Sequence, residues 1–428
     1  MKKRIASAVL ASAVILSVAS CGNNPAPAAA TTAATTAAPA SKAEEGKVLR
    51  IAVWNEEWKG FFNKYYAGTE PIKGGDTEDT SDDVYYDKAP GLPAGVTVEW
   101  EQHPSDDLAY QKYLDQTLPN NASAAADSKI DMFLGEADYV IKYVNTPYSM
   151  DIAELGITDL SQQYQYTIDA CTDTNGKVKG LSFQVCPSAM VYRRSIAKAL
   201  FGSDDPAEVQ KQVDTWDKFN AVAKKAKEQG YMMTPSYLET YRAIANTKSI
   251  PWVNDDGTFQ VPPEVDTWIK QADSFIDNGY TLEDDLWGSK KAQQFLKSGN
   301  AFCVFGPAWY FKFCMGATED PQDDGSRGPN NTIGDWALCA GPQEHFWGGT
   351  WMIPASATDN PTLVGDILNA FANNEDILSA LIENESSMPN NKKMVAKYAA
   401  DPNFGLELLG GQNFIGFFKD HVDGIKFS

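Results

Sequence analysis

From Val48 to Leu134 short apolar strands alternate with helix-forming stretches, and that alternation restricts the chain to an α/β architecture. Val48-Leu49-Arg50-Ile51-Ala52-Val53-Trp54 is rich in β-branched and apolar residues and reads as a strand. Asn55-Glu56-Glu57-Trp58 closes it, and residues 59–66 read as a helix. A second strand, Val96 to Trp100, precedes a helix over 106–118 with Leu108, Tyr113 and Leu114 at helical spacing. Ile130 to Leu134 is a third strand, followed by Gly135-Glu136-Ala137-Asp138-Tyr139. The expected result is a mostly parallel sheet covered by helices on both faces. Residues 68–95 are dense in Asp, Gly, Pro and Thr. They lack EF-hand spacing and read as a solvated insertion.

The first 46 residues are of another kind. Lys2, Lys3 and Arg4 precede an apolar run from Ile5 to Val18, then Ala19-Ser20-Cys21. A basic head, a short apolar stretch and a small-residue site make an export signal, too short for a spanning helix of about 20 residues. Val18-Ala19-Ser20-Cys21 resembles the lipobox of bacterial lipoproteins. The resemblance implies cleavage before Cys21 and a diacylglycerol anchor on its sulfur, and hence a place at the outer face of a cell membrane or in a periplasm. Residues 22–46 are mainly Ala, Thr, Pro and Ser. They carry too little apolar bulk to fold and read as a tether.

The net charge of −21 becomes −24 once Lys2, Lys3 and Arg4 are removed. A surface that acidic excludes electrostatic binding of nucleic acid or anionic lipid. The length beyond the tether exceeds one typical core and implies two lobes. Of six cysteines, Cys21 is taken by the anchor. Cys171, Cys186, Cys303, Cys314 and Cys339 remain, without C-x-x-C or zinc-type spacing. Cys171–Cys186 and Cys303–Cys314 are the nearest disulfide candidates; buried free thiols are the alternative. His103, His345 and His421 are scattered, so neither a metal site nor a cofactor is expected.

The second half is built from similar parts. Residues 180–186 and 189–192 are strand-like around Pro187. Thr215 is placed to cap a helix over 216–229 that Gly230 stops, Pro235-Ser236-Tyr237 opens another, and Ser289 caps 290–297. Residues 301–306 form a strand, 348–353 a strand-like crossing, and 361–373 and 376–384 two helices.

This order of elements resembles the extracellular solute-binding proteins of ABC importers, in particular the carbohydrate branch related to maltose-binding protein. The likeness runs from Val48 to Ser428 and is carried by several passages. Among them are Leu49–Trp54 into a polar turn and Asp131–Leu134 into an acidic one. Phe295-Leu296-Lys297-Ser298-Gly299-Asn300-Ala301-Phe302 leads to Gly306-Pro307-Ala308-Trp309, and Gly348-Gly349-Thr350-Trp351 precedes the helix at Asn360-Pro361. The resemblance implies two α/β lobes, each a mostly parallel sheet flanked by helices, with ligand in the cleft between them. Lobe I would take 47–163 with 346–398, and lobe II 164–345 with 399–428, the latter expected to be incomplete at its C-terminus. It also implies a monomer that closes on a carbohydrate and presents it to permease subunits, powered by a separate ATPase. The chain itself has no G-x-x-x-x-G-K-[ST].

A sugar cleft needs flat aromatics for the C–H faces and Asp, Glu, Asn or Gln for the hydroxyls. In parallel-sheet lobes these groups sit just past the carboxyl ends of strands. That rule selects Asn55, Glu56, Glu57 and Trp58 after the first strand, Glu136 and Asp138 after the third, and Gln184. The resemblance adds Trp309, Gly349 and Trp351. Tyr237, Tyr241, Trp252, Trp287, Trp347 and Gln412 are further candidates, whereas Trp100, Trp216 and Trp268 read as structural. Eleven tryptophans and eighteen tyrosines suit a sugar binder, although aromatics build ordinary cores too.

The sequence thus points to a lipid-anchored receptor for an oligosaccharide that performs no chemistry. A same-fold receptor for a peptide, polyamine or other polar solute is the alternative, and an arginine fixed in the cleft would favour an acidic guest. A secreted glycoside hydrolase would need two carboxylates about 5–10 Å apart. A surface adhesin without a transport role is the remaining class.

Overall fold

The computed structural model describes residues 46–68 and 91–425, all within one compact unit, Glu44–Ser428. The export signal, Cys21, the tether up to residue 45 and the acid-rich stretch 69–90 lie outside the described residues.

Among the described residues nine strands form two sheets. The first contains β1 (Val48–Val53), β2 (Thr97–Gln102), β3 (Met132–Glu136), β4 (Leu181–Ser182) and β9 (Thr350–Pro354), in the order β2-β1-β3-β9-β4. The second contains β5 (Pro187–Arg193), β6 (Cys303–Gly306), β7 (Trp336–Cys339) and β8 (His345–Phe346), with β5 between β6 and β7. β1 pairs in parallel with β2 and β3, as the alternation with helices requires. The expectation of mostly parallel pairing fails elsewhere. β9 runs antiparallel to β3 and β4, and β5 runs antiparallel to β6, β7 and β8. The physical reason is that both are crossing strands, entering a sheet from the opposite side. β4, inside the stretch assigned to the second lobe, pairs with β9 of the first sheet.

Period-two alternation divides each sheet between two cores. In the first, Ile51, Val53, Leu134 and Met352 face the Glu56–Phe61 and Pro361–Asn373 helices. Ala52, Phe133, Trp351 and Ile353 face Tyr110 and Leu114 of the Ala109–Thr117 helix. In the second, Met190, Tyr192 and Phe305 pack under Phe219 of the Trp216–Glu228 helix. Val191, Val304 and Leu338 pack under Phe414 and Phe418 of the Phe414–Val422 helix. Thr215 does cap its helix, accepting from Lys218 N–H at 3.3 Å. The helix expected at Pro235 starts only at Tyr241, and the 289–293 helix is capped by Gly288, not Ser289. All five described cysteines are free thiols, so neither candidate disulfide is present.

The chain passes between sheets at Phe183–Cys186 and again at Trp347–Gly349. No ladder serves the backbone there, and buried peptide groups without partners are costly. Asn390 braces the first passage from beside it. Its backbone N–H donates to the Phe183 carbonyl (3.1 Å), its Oδ1 accepts from Tyr164 N–H (2.9 Å), and the two hydrogens of its Nδ2 are shared among Gln163 Oε1 (2.6 Å), Thr167 Oγ1 (2.9 Å) and the Ser182 carbonyl (3.0 Å). Asn390→Ala leaves the partners of its side chain unmatched in a buried place. It should lower stability by about 2–3 kcal/mol, read as a lower denaturation midpoint in urea at unchanged slope.

Candidate functional site

A cleft of about 1020 Å³ opens where the strands of both sheets end. From the first sheet, β1 delivers Trp54, Asn55 and Glu57, β3 delivers Glu136, Asp138 and Tyr139, and β4 leads to Gln184. Gly348, Gly349 and Thr350 arrive with β9. From the second, β6 runs through Gly306-Pro307 into the Ala308–Phe313 helix, which presents Trp309 and Phe313. Trp347 follows β8, Leu286 and Trp287 come from the loop before the Ser289–Gln293 helix, Leu238 comes from the turn before the Tyr241–Ala245 helix, and Tyr241 and Arg242 open that helix.

Aromatic rings line both walls. Trp309 and Trp347 meet edge-on at 4.9 Å between centroids, and Trp287 lies 6.1 Å from Trp347. Trp287 is 60% exposed and Phe313 54%, unusual for rings that size unless a partner covers them. On the facing wall Trp54 and Tyr139 are perpendicular at 6.3 Å. Trp309 Nε1 donates to the Trp347 carbonyl at 3.3 Å, which fixes its plane. Gly348 and Gly349 have φ of +76° and +122°. A Cβ on Gly348 would stand 3.3 Å from Trp309 Nε1, so glycine suits both the backbone and the ring.

The floor is acidic. Burial, followed by repulsion from Glu385, pushes the Glu57 carboxyl up to about 7. Burial, followed by repulsion from Asp138, pushes Glu136 up to about 7 as well. Glu136 Oε2 accepts from Asp138 N–H at 2.7 Å. Asp138 is engaged by Arg242 through two hydrogen bonds, Nη1 to Oδ1 at 2.7 Å and Nη2 to Oδ2 at 2.6 Å. Lys142 is likewise paired, with Asp115 at 2.6 Å. The cleft therefore keeps acceptors free while its arginine is occupied. Buried His345, held well below the usual imidazole range at about 4 by burial, is neutral near pH 7. Among the described residues no group of three or more His, Cys, Asp or Glu could hold a metal ion.

Of the residues expected from sequence, Asn55, Glu57, Glu136, Asp138, Gln184, Trp309 and Gly349 line the cleft, as do Trp287, Trp347 and Tyr241. The others do not, each for a visible reason. Glu56 points away to Lys59 at 2.9 Å. Trp58 is buried against Phe62, Trp100 and Phe371. Trp351 is buried on the core face of β9 and donates to the Thr167 carbonyl at 2.9 Å. Gln412 clamps the edge of β7, accepting from Leu338 N–H (2.7 Å) and donating to its carbonyl (3.1 Å). Trp252 stacks on Phe259 at 5.8 Å, and half-buried Tyr237 lies outside the lining. Sequence reasoning missed Trp54, Tyr139, Thr350 and Arg242. The first two are the strand-end residues adjoining those selected, so the same rule read one residue wider finds them.

A two-lobed scaffold with free acceptors and indole faces in its cleft is built to hold a guest. Residues 87–405 match the family of bacterial extracellular solute-binding proteins. The chain belongs to that family. No curated protein matches it in sequence. Among solved structures, an extracellular solute-binding protein of family 1 superposes with a TM-score of 0.65 at 16% identity, covering 89% of this chain and 88% of the other. The ABC transporter associated binding protein of B. animalis subsp. lactis Bl-04, in complex with β-1,6-galactobiose, gives 0.61 at 15%, covering 88% and 85%. The galacto-N-biose/lacto-N-biose I-binding protein of the Bifidobacterium longum ABC transporter, in complex with lacto-N-biose, gives 0.58 at 15%, covering 88% and 86%. These likenesses establish the solute-binding fold in two lobes.

The raised carboxyls make a pH prediction. Between 4.5, the ordinary value, and about 7 the folded chain holds the Glu57 proton and the unfolded chain does not. Stability therefore falls as pH rises through that window. Glu57→Gln should stabilise the protein above pH 7 by an amount on the order of 1–3 kcal/mol, and the gain should vanish below pH 4.5. Urea midpoints of both proteins across pH check it.

Proposed function

We propose that this solute-binding protein is a lipid-anchored receptor that captures a carbohydrate, an oligosaccharide, and delivers it unaltered to an ABC permease. The observation that carries the reading is the division of labour in the cleft. Trp287 and half-buried Trp309 offer indole surface backed by buried Trp347, while Glu57, Glu136 and Gln184 offer acceptors without a bonded cation. Pyranose rings present that combination of C–H faces and hydroxyl rim. The volume, about 1020 Å³, exceeds what a single small sugar fills. Solute-binding proteins of the same fold hold β-1,6-galactobiose and lacto-N-biose, which supports the same class here.

The alternatives fit less well. An acidic peptide needs unoccupied cations, but Arg242 is spent on Asp138, and Lys112 lines the cleft among the carboxylates of Asp106 and Asp115. Arg193 is held away from the cleft by Asp335 and the Leu296 and Gly299 carbonyls. The short apolar leader and Cys21 support anchoring by lipid at the outer face of the membrane. No described helix is long and apolar enough to cross a membrane.

Thermal-shift screening against mono- and oligosaccharides tests the reading. A ligand at 100 times its dissociation constant stabilises by about 2.7 kcal/mol, several degrees in midpoint. A shift with a peptide or amine and with no sugar would overturn it, as would release of product from a glycan. Trp309→Ala should weaken the best sugar about tenfold, the loss of roughly 1.4 kcal/mol of ring contact. The ring also packs against the core beside Trp347 and Phe313, so the melting temperature without ligand should fall as well, and affinity is compared at a temperature where both proteins are folded. Calorimetric titration of both proteins reads the difference.

A further inference from the structure

The two walls of the cleft belong to different sheets, and side chains tie one wall to the other at two places outside the crossings. The first tie lies beside Glu136. Asp138, after β3, meets Arg242 of the Tyr241–Ala245 helix in a fork of two hydrogen bonds at 2.7 and 2.6 Å. That helix packs on β8 of the second sheet. The second tie lies on the Glu57 side. Lys312, on the Ala308–Phe313 helix behind β6, pairs with Glu385 and donates to the Asn384 carbonyl at 2.8 Å. Glu385 ends the Glu375–Glu385 helix, which packs on the Phe62–Ala67 π-helical turn of the first lobe. There it also accepts from Tyr65 Oη at 2.5 Å and Lys64 Nζ at 3.3 Å.

Each tie has one solvent-exposed partner. The Asp138 side chain is 54% exposed against 29% for Arg242, and that of Lys312 56% against 10% for Glu385. Salt reaches each pair through its exposed partner, unlike the buried hydrogen bonds at the crossings. Neither pair is needed to satisfy a core, and either can be hydrated if the walls part. We infer that Asp138–Arg242 and Lys312–Glu385 together form a salt-screened latch that sets how far the equilibrium favours approximated walls, with the crossings at residues 183–186 and 347–349 as the flexing point. Each pair is worth a shift of up to about fivefold in that equilibrium, and two separated pairs multiply to on the order of tenfold or more. The latch acts on the walls themselves and does not depend on which solute is captured.

Small-angle scattering of the unliganded full chain at about 0.01 M and about 1 M salt tests it, conditions that change the screening length from about 30 Å to about 3 Å. The wild type should have the smaller radius of gyration at low salt and expand at high salt. The double variant Asp138→Asn with Lys312→Met should be expanded at both. A charge exchange, Asp138→Arg with Arg242→Asp, keeps the first pair in reverse and should recover the compact, salt-sensitive radius. Equal radii for wild type and double variant at both salts would overturn the latch, as would an expanded charge-exchange protein with native circular dichroism.

Discussion

Everything in this fold depends on two places where the backbone leaves one sheet for the other without a ladder to receive it. At Phe183–Cys186 the peptide groups are met one by one. Phe183 C=O accepts from Asn390 N–H (3.1 Å), Val185 N–H donates to Met388 C=O (2.9 Å), and Cys186 N–H donates to Tyr166 Oη (2.9 Å). The Ser182 hydroxyl joins the two passages by donating to the Thr350 carbonyl at 2.9 Å. Because these groups are buried, each broken bond costs more than the net value of an ordinary hydrogen bond. The crossings are therefore fixed in register, and they set where the strand ends, and hence the cleft, must be.

Fixed crossings let the cleft be polar without being soft. A carboxylate at Glu57 or Glu136 is opposed by burial and by a neighbouring like charge, yet each stands at the end of a central strand that packing holds still. Such residues subtract from stability near neutral pH. Their place at the mouth of a sheet, rather than in a core, is what the proposed reading asks of groups that would meet a guest's hydroxyls. The buried Glu239–Lys291 pair, 2.7 Å apart behind Trp309 and Tyr310, shows the other use of charge in this chain. There Glu239 also accepts from Phe305 N–H at 3.1 Å, and the pair braces the aromatic wall.

The strand-end rule made much of the first wall legible in sequence, because β1 and β3 are mainly apolar runs followed by polar turns, whereas Trp309 after β6 came from the family resemblance. What it could not supply was phase. Trp58 lies four residues before Phe62, an i, i+4 pair that turns both rings inward, so a helical count would have moved it from site to core. Trp351 has no such cue, since every residue of β9 is buried and only the pairing with β3 and β4 decides its face. The antiparallel crossing strands were equally silent. Direction is a property of where a strand enters a sheet, not of the residues that compose it. Arg242 was invisible for a related reason, as its partner Asp138 is distant in sequence and the helix carrying it is short.

The arrangement also decides what sets affinity and what sets selectivity. Covering about 100 Å² of indole with a pyranose face gives on the order of 2–3 kcal/mol, and each exchanged hydrogen bond nets only about 1 kcal/mol. On the proposed reading, the uncovered parts of Trp287 and Trp309 can therefore rival the floor in binding energy, whatever the sugar's configuration. On that reading, discrimination would then come from Glu57, Glu136 and Gln184. An epimer that turns one hydroxyl away leaves a desolvated acceptor unmet, and that penalty is larger than the gain from meeting it. In a receptor of the proposed kind, rings would retain the guest, and the carboxyl and amide groups behind them would decide which guest is retained.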